Sequence, residues 1–173
     1  MSAEDVELGP DGLQGHAFAV LFQKIPHMMQ FFKGVYSIND IPRHLKVREF
    51  VVVNLSKKSE KGTHWFCIVR SHFKLYEVFN SLGFSNLDVL LPYVRVGANA
   101  DFVFNQRAYQ LHNTNTCGFY VIHFLIHRVL NFDLSFHHLL AEIYVTNNEE
   151  NENIVTTFCQ KLIKSNNDDA LFD

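Results

Sequence analysis

The sequence predicts an α+β fold in which helices pack on a central, mostly antiparallel sheet. Helical patterns come first along the chain, a cluster of β-branched and aromatic runs follows, and helical patterns return in the last third. Short polar turns join the strand-like runs, so alternating βαβ units are not expected. Because 47% of the 173 residues are hydrophobic, residues 1–173 are predicted to form one domain with a continuous core.

The first half of the chain is predicted to form a broken helix followed by three neighbouring strands. Residues 16–33 indicate helical pieces that Pro26 interrupts, and Gly34 is expected to end them. The apolar runs EFVVVNL and HWFCIVR flank the polar turn SKKSEKG, which predicts a hairpin. A third strand, KLYEVF, is predicted after the short connection RSHF, and NSLG is typical of the turn that ends it.

The second half is predicted to be mainly helical. NLDVLLPY indicates a short helix, and a strand is expected near DFVFNQ. Residues 117–132 are apolar on nearly every face, which is typical of a helix buried in the centre of a domain. Two further helices are predicted, one capped by Ser135 and one over residues 149–164, with acids early and lysines late. Both ends, 1–12 and 166–173, are expected to be flexible.

Composition and charge argue against several functional classes. A net charge of −3 and a pI of 6.3 provide no basic excess for neutralising nucleic-acid phosphates. The acidic N-terminus is unlike a signal peptide, and no stretch has the length of a membrane span without charge. Three cysteines without a CxxC pair are typical of a reducing compartment. An intracellular protein that needs no membrane is therefore expected.

Cys117 is the candidate nucleophile. It follows the polar stretch QLHNTNT and is the first residue of the predicted buried helix. The unpaired N–H groups at a helix start stabilise a thiolate and lower the pKa of a cysteine there. Gly118 has no side chain that would block a substrate carbonyl from the sulfur. On position alone, a buried structural cysteine is an equally good interpretation.

A catalytic cysteine needs an imidazole that takes and returns a proton, and His64 lies where a predicted strand begins. Asn80, at the end of the next strand, is the candidate for orienting that imidazole, as an amide does in papain-like enzymes. Glu77 is its rival, but strand alternation places Glu77 and Asn80 on opposite faces. A surface histidine and a turn-forming asparagine are the structural alternatives.

Acyl transfer also needs hydrogen-bond donors for the developing oxyanion. Gln110, seven residues before Cys117, can direct its amide N–H groups across the intervening loop. The backbone N–H of Cys117 would be the second donor. A lone glutamine in a loop is more often simply solvated.

The order His64, Asn80, Gln110 and Cys117 resembles that of the adenovirus maturation proteases, the adenains, whose clan includes the SUMO-deconjugating proteases. FKGVYSINDIP and VVVNLSKKSEKGTHWF resemble the segment leading to the family's catalytic His-Trp pair. YEVFNSLGFS resembles the strand with the third catalytic residue, and QLHNTNTCGFYVIHFL has the family's spacing from Gln to Cys-Gly. The similarity covers about residues 31–132. At GTHW and GFS the sequence resembles adenain more than the SUMO-deconjugating proteases.

The resemblance implies a papain-like core of the adenain type, with the four residues acting in chain order as base, orienting residue, oxyanion donor and nucleophile. Trp65 would wall a narrow substrate cleft, and Gly118 fits the same narrow cleft. The implied activity is cleavage at glycine-containing sites of viral capsid or core precursors through a thioester with Cys117. A monomer that acts in the infected cell or the virion is expected.

Two departures from the family pattern change these expectations. Members usually carry Asp or Glu where Asn80 stands, so electrostatic support for an imidazolium is weaker here. Adenovirus enzymes are basic, use DNA as a cofactor and bind an activating peptide through a cysteine before the catalytic Gln. Residues 86–109 contain no cysteine and the net charge is negative, which argues against both cofactors. A divergent relative from a virus or virus-like mobile element is expected.

The sequence leaves three alternative functions open. One is a ubiquitin- or SUMO-like isopeptidase, which would use the same catalytic set on a Gly-Gly terminus. Another is a binding module that kept the fold and lost catalysis, an interpretation that Asn80 favours. An acetyltransferase of the same clan is the least favoured of the three.

Other signals in the sequence are interpreted as structural. His123 and His127 have a spacing that can hold zinc, but no third ligand is evident, so a role in the core or at the helix end is predicted. Cys67 and Cys159 are predicted to be buried apolar packing. The NNEENEN run is predicted to be a solvated helix start.

Overall fold

The computed structural model describes residues 12–55, 64–83 and 100–165. The predicted SKKSEKG turn, the predicted NLDVLLPY helix and the two predicted flexible ends, apart from residue 12, lie outside the described residues. The helices are α1 (Gly15–Phe22), α2 (Met28–Phe31), α3 (Cys117–Leu130), α4 (Phe136–Ile143) and α5 (Asn148–Lys164), and the strands are β1 (Phe32–Ser37), β2 (Phe50–Asn54), β3 (Trp65–His72), β4 (Leu75–Phe79) and β5 (Asp101–Phe104). The fold is α+β, as predicted.

The five strands form one mixed sheet in the order β1-β2-β3-β4-β5. The two central pairs, β2 with β3 and β3 with β4, are antiparallel, whereas the outer pairs β1 with β2 and β4 with β5 are parallel. The prediction of a mostly antiparallel sheet is therefore wrong, because two of the four strand pairings, the outer two, are parallel. Parallel neighbours need a connection of about a dozen residues or more, and 38–49 and 80–100 supply connections of that kind.

Strand β1 is the element that the sequence did not predict. Gly34 was expected to end the helical segment, but α2 ends at Phe31 and Gly34 lies inside β1 with φ of +123°. Glycine adopts this backbone conformation without strain, and the register between β1 and β2 shifts at this place. The prediction that RSHF, residues 70–73, connects the two strands is also wrong. Strand β3 continues to His72, so only residues 73 and 74 separate it from β4.

The sheet separates two apolar cores. Alternate residues of β2 and β3 point to opposite faces, with Val52 and Cys67 on one side and Val51 and Ile68 on the other. Helix α3 lies in the larger core and contacts β3, α1, α4 and α5. Its burial on nearly every face explains its uniformly apolar sequence.

The last two helices form where they were predicted, α4 with Ser135 as its cap and α5 beginning one residue earlier than expected, at Asn148. The Ser135 side chain accepts a hydrogen bond from the His138 backbone N–H at 3.3 Å, and Asn147 caps α5 through the backbone N–H groups of Glu149 and Glu150. None of the helices in the described ranges has the length and apolar character needed to cross a membrane.

Candidate active site

Three secondary-structure ends meet at the candidate site: the start of β3, the end of β4 and the N-terminus of α3. They carry His64, Asn80 and Cys117 respectively. His64 and Cys117 are each 8% exposed, so both are shielded from bulk water without being sealed in the core. The structure therefore joins the imidazole to the amide and places the thiol against the backbone of Trp65, the residue after His64.

His64 and Asn80 are joined directly, with Nε2 of the imidazole 2.6 Å from Oδ1 of the amide. The same Oδ1 accepts the backbone N–H of Leu82 at 3.0 Å. Because a backbone N–H can only donate, the Asn80 atom that faces it must be the oxygen, and the imidazole nitrogen must carry the proton. The neutral His64 ring consequently has its basic lone pair on Nδ1. Asn80, and not Glu77, is the hydrogen-bond partner of His64.

Asn105, immediately after β5, fixes the position of Asn80. Its Oδ1 accepts the backbone N–H of Asn80 at 3.0 Å, and its Nδ2 donates to the Asn80 carbonyl at 2.6 Å. Both residues are buried. The parallel pairing of β4 and β5 places Asn105 here, so a prediction that lacked this pairing had no means of finding it.

Burial lowers the pKa of His64, and the hydrogen bond with Asn80 opposes that effect only in part. Burial likewise raises the pKa of the Cys117 thiol. The backbone N–H groups of Trp65, Gly118 and Cys117 itself act in the opposite direction, whereas the charge of Glu152 raises this pKa further. The sequence predicted a lowered pKa from the helix start alone. The N–H groups do act that way, but burial outweighs them, so the pKa shifts of both groups favour their neutral forms.

The Trp65 contact places the sulfur of Cys117 at the start of β3, because the N–H that acts on it belongs to the residue directly after His64. The Trp65 indole Nε1 donates to the Leu13 carbonyl at 2.8 Å, and its ring contacts Phe18 edge-on at 5.0 Å. Trp65 is thus held rigidly while remaining only partly buried.

Gly118 is required by packing. A Cβ at this position would lie 2.8 Å from Leu13 Cβ and 3.4 Å from Trp65 Cδ1. The space that the sequence assigned to an approaching substrate is, on this side of Gly118, filled by Leu13. Leu13 is a site neighbour that no local sequence pattern indicated.

Gln110 is 1% exposed, and its amide is held at both ends. Oε1 accepts a hydrogen bond from Ser81 Oγ at 2.6 Å, and Nε2 donates to the carbonyl and the hydroxyl of Thr114 at 3.0 and 3.1 Å. Ser81 directly follows Asn80 in the chain. Two consecutive residues at the end of β4 therefore orient the imidazole and the glutamine amide.

The prediction that NNEENEN is a solvated helix start is wrong for two of its residues. Asn151 is fully buried and uses its amide to bond the N–H and the carbonyl of Val145 at 2.8 and 3.0 Å. Glu152 is half-buried and accepts hydrogen bonds from the loop that leads to Cys117. Hydrophobic periodicity cannot indicate such residues, because their contacts are polar and come from distant parts of the chain.

The remaining candidates lie away from the site. Glu77 is on the face that α3 covers, with its Oε2 3.2 Å from Arg128 Nε. His123 is packed beside His127, with ring centroids 4.6 Å apart, and its Nδ1 lies 3.3 Å from the Tyr144 hydroxyl. Burial lowers the pKa of His123 to about 3. Within the ranges that the structure describes, no three His, Cys, Asp or Glu side chains form a group that could hold a metal ion.

No family model matches the chain, and a search of curated proteins finds no significant match. Function must therefore be inferred from the residues of the site and from the motifs that carry them.

Proposed function

We propose that this protein is a cysteine endopeptidase of the adenain type, with Cys117 as nucleophile and His64 as general base. One observation carries the proposal: His64, hydrogen-bonded to Asn80, directly precedes Trp65, whose backbone N–H acts on the Cys117 sulfur. A thiol beside an imidazole of fixed tautomer is the arrangement that nucleophilic catalysis by cysteine needs.

In the proposed reaction, Nδ1 of His64 takes the thiol proton as the Cys117 sulfur attacks the carbonyl carbon of the scissile peptide bond. A neutral resting pair suits this concerted transfer, since no thiolate has to exist beforehand. Asn80 Oδ1 keeps its hydrogen bond to the Nε2–H of the imidazolium that forms. For the oxyanion, one Gln110 amide N–H exchanges its Thr114 partner for the substrate oxygen, and the Cys117 backbone N–H is the second donor.

The second half of the reaction reverses these proton transfers. The tetrahedral intermediate collapses, the C–N bond breaks, and the imidazolium donates its proton to the leaving amine, which leaves a thioester on Cys117. Water then attacks the thioester carbonyl while His64 takes a proton from it. Release of the carboxylic acid returns the proton to the sulfur.

For the substrate, we propose glycine-containing sites in protein precursors of a virus or virus-like element. The motif resemblance supports this class, and so does the rigid Trp65 indole beside Cys117, since bulky side chains next to the bond would collide with it. The acidic pI of 6.3 favours action without DNA.

A binding module with impaired catalysis is the second candidate. It is favoured by the buried thiol, whose pKa is raised, and by an amide where a carboxylate would better stabilise the imidazolium. Under this alternative, Cys117 would react with a thiol-directed alkylator no faster than Cys67 and Cys159, which are fully buried.

The test is a cleavage assay with a library of glycine-containing peptides and, in parallel, ubiquitin-like fusions, using wild type, Cys117→Ala and Cys159→Ala. The expected result is peptide cleavage by wild type and Cys159→Ala, with none by Cys117→Ala. Turnover of the ubiquitin-like fusions alone would favour an isopeptidase. Cleavage that survives Cys117→Ala would overturn the mechanism.

A further inference from the structure

Glu152 connects the last helix to the loop between Gln110 and Cys117. One carboxylate oxygen accepts the Leu111 backbone N–H and the Thr114 hydroxyl, each at 3.0 Å. The other oxygen accepts the Thr116 hydroxyl at 2.8 Å. These contacts span 36 to 41 residues of sequence, and all of them reach residues 111–116.

Two of these partners stand next to the groups assigned to catalysis. Thr114 is the residue whose carbonyl and hydroxyl accept the Gln110 amide. Thr116 occupies the N-cap position of α3, immediately before Cys117, but its side chain makes no capping hydrogen bond to the helix. Its hydroxyl donates to Glu152 instead. A single carboxylate thus holds the loop at both of its catalytic ends.

We propose that Glu152 is a positioning residue, whose carboxylate holds residues 111–116 so that the Gln110 amide and the Cys117 sulfur keep their relative placement. This inference rests on the proposed function, because it concerns the geometry of the same reaction. It assigns a site role to a residue of the NNEENEN run. Hydrogen bonds to an ionised acceptor are stronger than neutral ones, which suits an anchor on a loop without regular structure.

The charge of Glu152 has a consequence that can be measured without substrate. It raises the pKa of the Cys117 thiol, together with burial, against the backbone N–H groups at the helix start. The ionisable groups around this carboxylate are the Cys117 thiol and the Tyr120 phenol on α3. The imidazole of His64 belongs to the residue before Trp65, whose backbone N–H acts on the thiol. Neutralising Glu152 therefore lowers the pKa of Cys117, so alkylation reaches half its maximal rate at a lower pH.

The experiment compares Glu152→Gln with Glu150→Gln in the full chain. Both remove one negative charge from the start of α5, but Glu150 is exposed. Three quantities are measured: the pH profile of iodoacetamide alkylation at Cys117, kcat and KM on a cleaved peptide, and Tm. For Glu152→Gln, the alkylation midpoint should move to lower pH than in wild type. Its kcat should fall about tenfold with KM nearly unchanged, since a charge-assisted hydrogen bond to the loop is lost. Glu150→Gln should leave both unchanged.

A lowered Tm with an unchanged alkylation midpoint and unchanged kcat would show that Glu152 is only structural, and would overturn the inference. If Glu152→Gln does not fold, Thr116→Val removes the hydroxyl that bonds Glu152 and Thr114, and should lower kcat in the same way; an unchanged kcat would overturn the inference. If wild type cleaves no peptide, the proposed function fails by itself, and the alkylation midpoint still decides whether Glu152 acts on Cys117.

Discussion

Polar groups at the N-terminal end of α3 and polar groups along the rest of the helix are buried in different ways. In the C-terminal half, Arg128 is fully buried, with Nε 3.2 Å from Glu77 and Nη2 donating to the carbonyls of Phe132 and Leu134. His123 in the same helix is enclosed by aromatic rings, including Phe158 edge-on at 5.0 Å. At the N-terminal end, by contrast, Nε2 of His64 is hydrogen-bonded to the Asn80 amide oxygen. This bond fixes the tautomer of the ring and leaves the lone pair on Nδ1.

Burial alone therefore does not distinguish a functional site from a core. It lowers the pKa of His64 and of His123 alike, but only for His64 does a hydrogen bond with an amide oppose the effect. Along the rest of α3, the partners of Arg128 and His123 are a charge, backbone carbonyls and aromatic rings, which stabilise the fold. At the N-terminal end the partners orient groups beside a thiol. Substitutions at the N-terminal end of α3 should thus lower the cleavage rate. Substitutions along the rest of the helix should lower the free energy of unfolding.

The largest expected effect is that of His64→Ala. Removing the general base should lower kcat/KM by about 10²- to 10⁴-fold, because general base catalysis contributes that much. The free energy of unfolding should fall by only about 1 kcal/mol, since one hydrogen bond is lost and Asn80 Oδ1 keeps the Leu82 N–H as a partner. Peptide cleavage and urea denaturation measure the two quantities.

His123→Ala is the matched control for His64→Ala. It should lower the free energy of unfolding by about 1–3 kcal/mol, since it leaves a cavity among aromatic rings. The kcat/KM of the folded protein should stay within about twofold of wild type. A His123→Ala variant that folds normally but is inactive would contradict the distinction between the N-terminal end of α3 and the rest of the helix.

Glu77→Gln tests the buried ion pair that Glu77 of β4 forms with Arg128 near the C-terminal end of α3. It leaves the buried Arg128 charge without its ion-pair partner and should lower the free energy of unfolding by about 3–5 kcal/mol. Folded protein should retain its cleavage rate. The double variant Glu77→Leu with Arg128→Met should recover most of the stability in urea denaturation, because no unpaired charge remains. If the double variant were as unstable as Glu77→Gln, the ion pair would not be the cause.

Asn80→Asp should change the pH dependence of cleavage. In wild type the pKa of His64 lies below its usual range, so activity should persist below about pH 6.5 and fall only as the imidazole becomes protonated. A carboxylate at position 80 favours the imidazolium and raises that pKa. Since the base acts in its neutral form, the acid limb of kcat/KM should move to higher pH. Asn147→Asp, with the same charge change at the exposed cap of α5, should leave the limb in place.

The parts of the site that the sequence predicted are those with a local signal. A cysteine that opens an apolar helix, a histidine before an aromatic strand and an asparagine in the turn after the next strand are all visible in short windows. The hairpin of β2 and β3 and the following β4 were predictable for the same reason, because short connections join antiparallel neighbours.

The parts that escaped prediction depend on long-range contacts. Strand β1 and the two parallel pairings are set by partners that local pattern does not identify. Asn105, Ser81 and Glu152 act through hydrogen bonds that span 25 residues or more. The pKa of Cys117 could not be predicted either, since it depends on how deeply the helix start is buried.

Ser81→Ala has the smallest expected effect, and it tests whether the end of β4 orients both catalytic groups. The Ser81 hydroxyl donates to Gln110 Oε1 at 2.6 Å, so its loss leaves the amide fixed only through Thr114. We expect kcat to fall about three- to tenfold, because a neutral hydrogen bond contributes roughly 1 kcal/mol. KM and the acid limb should not change, since the backbone that places Asn80 is intact.

The matched control for Ser81→Ala is Ser165→Ala, which removes another buried hydroxyl, one that donates to the Leu162 carbonyl at 2.9 Å at the end of α5. It should cost a similar free energy of unfolding and leave kcat unchanged. If Gln110→Ala lowers kcat and Ser81→Ala has no further effect in that background, the two residues act as one unit. Additive losses would instead mean that Ser81 does not act through Gln110, because a hydroxyl whose only catalytic role is to orient the amide has nothing left to orient.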